Sequence, residues 1–237
     1  MTLPTTAVKG AFEYENQMAH LVIRWMRRNA LGVKREYSVP WGICDIVGVK
    51  FDPDRVLLRL SHGQSRSVGP PLRLHVLSKI PDHRSGKSIT LKRLRRECLS
   101  YLPEELLERE VSRLTHSRFV HSPKKGQLQR LNGWAPLHTR IVAVELKLSR
   151  VSEALVQACL NRTFATESYV ALPADLAVRL IRSKRVNEFK RTGIGLLAVS
   201  SRSCRRVLPS CSDPRDCDEV LQAHCVERFW RTRDSSP

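Results

Sequence analysis

Between Phe12 and Arg28, Ala19, Val22, Ile23 and Met26 return at steps of three and four, and Leu21 and Trp25 widen the stripe, so an amphipathic helix is predicted. Glu15 precedes Met18, Ala19, Val22, Ile23 and Met26 by helical intervals, which starts its carboxylate on the inward face. Glu13 matches Gln17, His20 and Arg24 instead and points to solvent. Asn29 to Gly32 ends the helix. Two β-rich runs follow, KREYSV and GICDIVGVKF, joined by a hairpin turn at Pro40 to Gly42. Later, IVAVELKL from Ile141 to Leu148 is an apolar strand, with Glu145 and Lys147 two apart and therefore on one face. Arg150 to Thr166 is a helix carrying Ala154, Leu155, Ala158 and Phe164; SYVALP is a third buried strand, Ala174 to Lys190 is mainly helical, and GIGLLAVS is a fourth strand. The alternation of helix and strand predicts an α/β domain with partly parallel strands.

The pattern breaks between Phe51 and Arg140. Residues 61 to 72 and 81 to 88 are rich in Ser, Gly, His and Pro, as loops are. Leu91, Leu94 and Cys98 give one short helical face, and Pro103 opens a second helix through Leu106, Leu107, Val111 and Leu114. Phe119 and Val120, a Lys-Lys-Gly turn and Leu128 to Leu131 read as a two-stranded wing. The stretch 86–133 resembles a winged helix-turn-helix, although small protein-interaction modules have the same outline. A last helix, Asp216 to Arg231, is expected to pack Val220, Leu221 and Phe229 on the core.

Charge narrows the partner. Of 237 residues, 41 are Lys or Arg against 23 Asp or Glu, a formal net charge of +18. Thirty of the 41 are Arg, whose planar fork pairs with phosphate, so a polyanion is expected and nucleic acid is favoured. No charge-free run exceeds ten residues, against roughly 20 for a bilayer crossing, and the start lacks a basic segment followed by an apolar one. A cytoplasmic protein with reduced thiols and no membrane contact is therefore expected. Cys204, Cys211, Cys217 and Cys225 lack the close pairs of a structural zinc site, and a polar loop with free thiols is the expectation there.

The candidate chemistry begins at Asp45, which sits among Ile43, Cys44, Ile46 and Val47. A carboxylate in an apolar strand costs several kcal/mol unless it is paired or binds a cation. Asp45 and Glu145 converging from adjacent strands would make a hard oxygen site for Mg²⁺ (or Mn²⁺), the Leu146 backbone carbonyl could be a third ligand, and Lys147 would lie beside the ion. The alternatives are an ordinary Glu145–Lys147 ion pair and an Asp45 carboxylate meeting an arginine. GICDIVG followed by IVAVELK resembles the D…(D/E)xK motif of the PD-(D/E)xK nuclease superfamily. Cys44 stands where that motif has proline, and Asp45 and Glu145 are 100 positions apart, which requires an insertion between two core strands.

The resemblance implies a restriction-endonuclease-like α/β core, a mixed central sheet flanked by helices, formed by 1–52 and 140–237, with 53–139 inserted as a basic, winged-helix-like subdomain. It further implies a metal-dependent DNA endonuclease in which Asp45 and Glu145 bind the ion and Lys147 positions the attacking water. Members similar to junction resolvases often carry a glutamate in the first helix and a glutamine in the helix after the motif, positions held here by Glu15 and Gln157. Each also has a local alternative: a helix-start carboxylate for Glu15 and a backbone cap for Gln157. Lys92, Arg93, Arg95 and Arg96 on the insert, with Lys124 and Lys125 at the wing turn, are the expected phosphate contacts. A homodimer or a targeting partner protein is compatible with this reading. The alternative from another class is a DNA-binding or assembly protein on a nuclease-like fold that no longer cuts, and an RNA-processing nuclease differs only in substrate.

Overall fold

The computed structural model describes residues 12–98, 102–131, 136–211 and 216–230. They form two compact units, one made of the described residues up to Lys50 with Arg140–Cys217, the other of Phe51–Thr139 with the described residues from Asp218 onward.

The first unit is α/β. Helix α1 (Asn16–Arg28) is followed by the hairpin β1 (Gly32–Val39) and β2 (Gly42–Phe51), and these two strands join β6 (His138–Leu146), β7 (Glu167–Pro173), β8 (Gly195–Val199) and β9 (Cys204–Leu208) in one sheet, in the order β1-β2-β6-β7-β8-β9. β1 and β2 run antiparallel, β6, β7 and β8 are parallel, and β9 closes the edge antiparallel to β8, so the sheet is mixed. Met18, Ala19, Leu21, Val22 and Met26 of α1 bury against Val142, Val144 and Leu146 of β6, with Tyr169, Ala171, Leu197 and Val199. A separate cluster joins α6 (Val151–Asn161), α7 (Ala174–Arg182) and α8 (Val186–Thr192) to Val170, Leu172, Leu196 and Ala198, the alternate residues of the same strands. Strands buried on both faces by helices read as continuous apolar runs, which is how IVAVEL, YVALP and GLLAV appear in the sequence. The predicted single helix Ala174 to Lys190 is two helices divided at Ser183–Arg185, and β9 escaped prediction because CRRVL, half-exposed at an edge, does not alternate cleanly.

The second unit is built on α2 (Pro53–Ser61), α3 (Pro71–Lys79), α4 (Leu91–Glu97), α5 (Glu104–His116) and α9 (Glu219–Trp230), with a three-stranded antiparallel sheet in the order β3 (Ile89–Thr90), β5 (Gln127–Arg130), β4 (Val120–His121). Leu74, Val76, Leu77, Leu94, Leu107, Leu114 and Phe119 are its core. Three findings depart from the sequence expectation. α2 fills a stretch to which the pattern assigned no element, capped by the Asp52 side chain. α3 occupies part of the chain that the pattern left unassigned, its start fixed by Pro71 in the first turn. The last helix packs not on the α/β core but here: Val220 and Ala223 lie against the Leu-rich cluster. Arg231, the expected end of that helix, lies outside the described residues.

The reason is a buried ion pair. Arg59 on α2 is 1% exposed and forks onto both carboxylate oxygens of Glu227 on α9, at 2.5 and 3.1 Å. The guanidinium also donates to the carbonyls of Gln64 and Arg66 and lies over the rings of Phe119 and Trp230, 5.1 and 4.8 Å from their centroids. Glu227 accepts the Val68 amide as well, and the Trp230 indole donates to the Ser65 carbonyl at 2.6 Å. No hydrophobic periodicity signals such an anchor. Removing either charge strands the other in an apolar interior, so Arg59→Met and Glu227→Ala are each expected to destabilise the protein by about 3–5 kcal/mol. Urea unfolding followed by tryptophan fluorescence measures this; a loss under about 1 kcal/mol in both variants would remove the pair as the anchor of α9.

Candidate active site

The site lies in the first unit, where β2 and β6 are neighbours. Val142, Val144 and Leu146 face α1, so the intervening Glu145 faces the opposite helical layer, where it is 2% exposed. There Asn161, at the end of α6 and 1% exposed, donates its amide to Glu145 Oε1 at 2.6 Å and also approaches Cys44 Sγ at 3.5 Å. The Trp41 indole donates to Asn161 Oδ1 at 3.4 Å, which fixes which end of the amide faces the carboxylate. On the adjacent strand, Asp45 Oδ2 accepts the backbone N–H of Leu146 at 2.7 Å.

The two carboxyl groups disturb each other. Burial and the negative charge of Asp45 push Glu145 up to about 7, against the pull of the Asn161 amide, the Cys44 thiol and Lys147. Asp45 is also raised, chiefly by burial, while the Leu146 N–H and the Lys147 charge work the other way. The Cys44 thiol is driven well up by burial and by Glu145, so it behaves as a neutral packing group. This is the electrostatics of an acidic pair that lacks enough positive charge to be comfortable.

Lys147 supplies part of it. It is 8% exposed, and its Nζ lies 3.6 Å from Glu15 Oε2 and 3.6 Å from Glu153 Oε1. Glu15 is the residue just before α1, and its Oε1 accepts the Leu148 amide at 3.3 Å. The structure thus brings Glu15, Asp45, Glu145 and Lys147 together. Gln157 is on α6 one turn from both Glu153 and Asn161, and its Oε1 is buried with no hydrogen-bond partner. It therefore does not cap local backbone through that atom. Leu146 contributes its amide to Asp45, whereas the expectation concerned its carbonyl.

Glu15, Asn16, Ala19, Arg35, Glu36, Asp45 and Leu146 line a cleft of about 210 Å³. The β1–β2 ladder pairs Arg35 with Ile46 and Tyr37 with Cys44; between them Glu36, with a φ of +48°, is held in the left-handed region opposite Asp45. A non-glycine residue there costs roughly 1–3 kcal/mol.

Sequence reasoning missed Asn161, Glu153 and Glu36. The signal for the first two was available: Glu153, Gln157 and Asn161 stand four apart, a polar line on an otherwise apolar helix. Among the described residues no three His, Cys, Asp or Glu side chains are grouped as a complete metal site. The buried Glu145 and the half-buried Asp45 are nonetheless hard oxygen donors of the kind that suits a cation keeping most of its waters. Of the expected phosphate contacts, Lys92, Arg93, Arg95 and Arg96 are exposed on α4, with Arg93 paired to Glu97 at 2.8 Å and Arg95 to Glu104 at 2.5 Å, and Lys124 and Lys125 are exposed in the β4–β5 turn. No protein family, curated protein or solved structure matches this chain.

The Glu145 shift has a pH consequence. An acid whose folded pKa lies above its unfolded value of 4.5 costs nothing while protonated, and stability erodes as pH rises from that value through about 7. The metal-free protein is expected to lose about 3 kcal/mol over this window through Glu145, and Glu145→Gln to lose none of it. Thermal melts in EDTA at pH 5 and pH 8 decide the point, and an identical pH dependence in the two proteins would sink the assignment.

Proposed function

We propose that this protein is a metal-dependent phosphodiesterase acting on DNA, an endonuclease of the PD-(D/E)xK type whose second unit is a basic, winged-helix-like subdomain that helps hold the substrate. The observation that carries this reading is the crowding of Asp45 and Glu145, from neighbouring strands, in an interior that leaves Glu145 near 7, with Lys147 beside them. A purely structural role gives no reason to place two interacting carboxylates in an apolar sheet at a cost of several kcal/mol. The order of elements adds support: the resemblance implies a helix, a three-stranded meander, a helix and a strand, and α1, then β1, β2 and β6, then α6 and β7 follow in that sequence.

Asp45 and Glu145, with the Leu146 carbonyl, would hold Mg²⁺ or Mn²⁺, and the ion would supply Lewis-acid stabilisation of the charge that builds on a phosphodiester under attack. The protein's own groups do the rest. Asn161 would hold Glu145 in position through its hydrogen bond to Oε1. Lys147, tethered between Glu15 and Glu153, would orient the attacking water and offset the negative charge that develops on the phosphate oxygens. Hydrolysis would form a P–O bond to the water oxygen and break the one to the leaving sugar oxygen, the water losing a proton and the leaving oxygen gaining one. In the second unit the exposed cations of α4 and of the β4–β5 turn would contact phosphates without reading sequence.

The test is incubation of supercoiled, linear duplex and single-stranded DNA with the protein and Mg²⁺, Mn²⁺ or EDTA. Metal-dependent cutting is expected, reduced at least about 100-fold by Asp45→Asn, Glu145→Gln or Lys147→Ala and about 10-fold by Asn161→Ala. Tight DNA binding without cutting under every condition would instead favour a protein that uses a nuclease-like fold only to bind.

A further inference from the structure

A cavity of about 570 Å³ lies in the first unit, at the carboxyl ends of the three parallel strands. Leu148 stands just past the end of β6, Pro173 ends β7 and Val199 ends β8, and all three line it. In open α/β sheets this edge is where ligands are held. Phe12, ahead of α1, and Leu176, in the first turn of α7, add to the apolar lining.

The cavity adjoins the candidate active site. The Leu148 amide donates to Glu15 Oε1 at 3.3 Å, and Glu15 Oε2 lies 3.6 Å from Lys147 Nζ. Glu15 also lines the carboxylate cleft, so one hydrogen bond connects the wall of the cleft with the wall of the cavity. The two spaces differ in chemistry. Five of the seven described residues around the cleft of about 210 Å³ are polar, which suits a phosphate and its ion, whereas six of the eleven around the larger cavity are apolar. Asp175 and Arg179, one turn apart on α7 and exposed, supply an acceptor and a donor at its rim. Apolar walls with a few polar groups at the edge suit a flat heterocycle better than a bare phosphate.

The lining is held from behind. Phe12 and Leu148 pack on the core shared by α1 and β6, and Leu176 packs on the cluster at the other face of the sheet. Gln17 Oε1 accepts the amides of Glu13 and Tyr14 at 2.7 and 3.2 Å, which ties the segment after Phe12 to α1. Phe12 is only half-buried, so a fixed aromatic ring borders the cavity. Such a ring is a platform on which a base of any sequence can stack. A base inside a duplex cannot use it: paired and stacked, it shows only its edges in the grooves, and it must leave the stack to enter a concave site, at a cost that is least where it is already unpaired.

We propose that this cavity, through Phe12, Leu148 and Leu176, takes an unpaired nucleobase of the strand held at the active site, so that the protein prefers single-stranded or locally unpaired DNA to continuous duplex. The proposal rests on the DNA part of the functional reading but not on cutting. Binding is therefore measured in EDTA by fluorescence anisotropy on three labelled duplexes of one sequence: fully matched, with a central run of unpaired thymines, and with abasic nucleotides in place of those thymines. The wild type is expected to bind the unpaired-thymine duplex at least about 10-fold more tightly than either of the others, the abasic duplex separating recognition of a base from recognition of a flexible joint. Phe12→Ala, which removes the platform, and Ser201→Leu, which adds neutral bulk to an exposed lining residue, are each expected to reduce the preference to about 3-fold or less, and Phe12→Tyr to keep it. Thermal melts establish that the variants fold, and if Phe12→Ala does not, Ser201→Leu decides.

Equal binding of the unpaired-thymine duplex and either control by the wild type would overturn the proposal, as would a preference that survives both Phe12→Ala and Ser201→Leu, or failure of the wild type to bind any of the three. A wild type that shows the preference but never cuts DNA in Mg²⁺ would defeat the nuclease reading alone. One that cuts matched duplex and shows no preference would defeat this proposal alone.

Discussion

β2 and β6 lie side by side in the sheet although 86 residues, from 52 to 137, separate them in the chain. That neighbour relation brings Asp45 to the backbone of Leu146 and so to Glu145, and it also dictates what the intervening chain can be. A segment that must leave one strand and re-enter at the next has its two ends fixed together, and here they are joined directly: the Asp52 amide donates to the Leu137 carbonyl at 2.8 Å. Asp52 then caps α2 through its side chain, and Arg55 of the same helix donates to the Pro136 carbonyl. With its ends closed, the segment has to bury its own apolar residues, and the separate core around Leu74, Leu94, Leu107 and Phe119 is the result.

The acidic pair is an expense that the sheet bears and its neighbours reduce. Leu146 gives Asp45 an amide, Asn161 gives Glu145 a donor that Trp41 orients, and Lys147 adds a positive charge shared with Glu15 and Glu153. These contacts leave Glu145 still raised. The strained Glu36 lines the same cleft as Asp45.

Charge is handled differently in the second unit. Arg59 and Glu227 are buried, paired with good geometry and flanked by aromatic rings, which makes them an internal fastener rather than a binding feature. A high net positive charge alone says only that anions are attracted.

Much of this was legible in the chain. The double-sided apolar runs at 141–148 and 168–173 dictate buried parallel strands, and the spacing of Glu145 and Lys147 places both on one face whatever the rest of the protein does. Asp45 announces itself because an isolated carboxylate in an apolar strand is costly wherever that strand ends up. Periodicity could not show that α9 leaves the α/β core for the inserted unit, because that choice turns on one buried ion pair between residues 168 positions apart. Nor could it show that Asn161 rather than Gln157 bonds Glu145: both lie on one face of α6, and only the helix's placement against β6 decides which amide reaches the carboxylate. Local pattern determined the elements and the acidic residues; the partners of those residues were set by long-range packing, where single hydrogen bonds and buried charges outweigh any propensity carried along the chain.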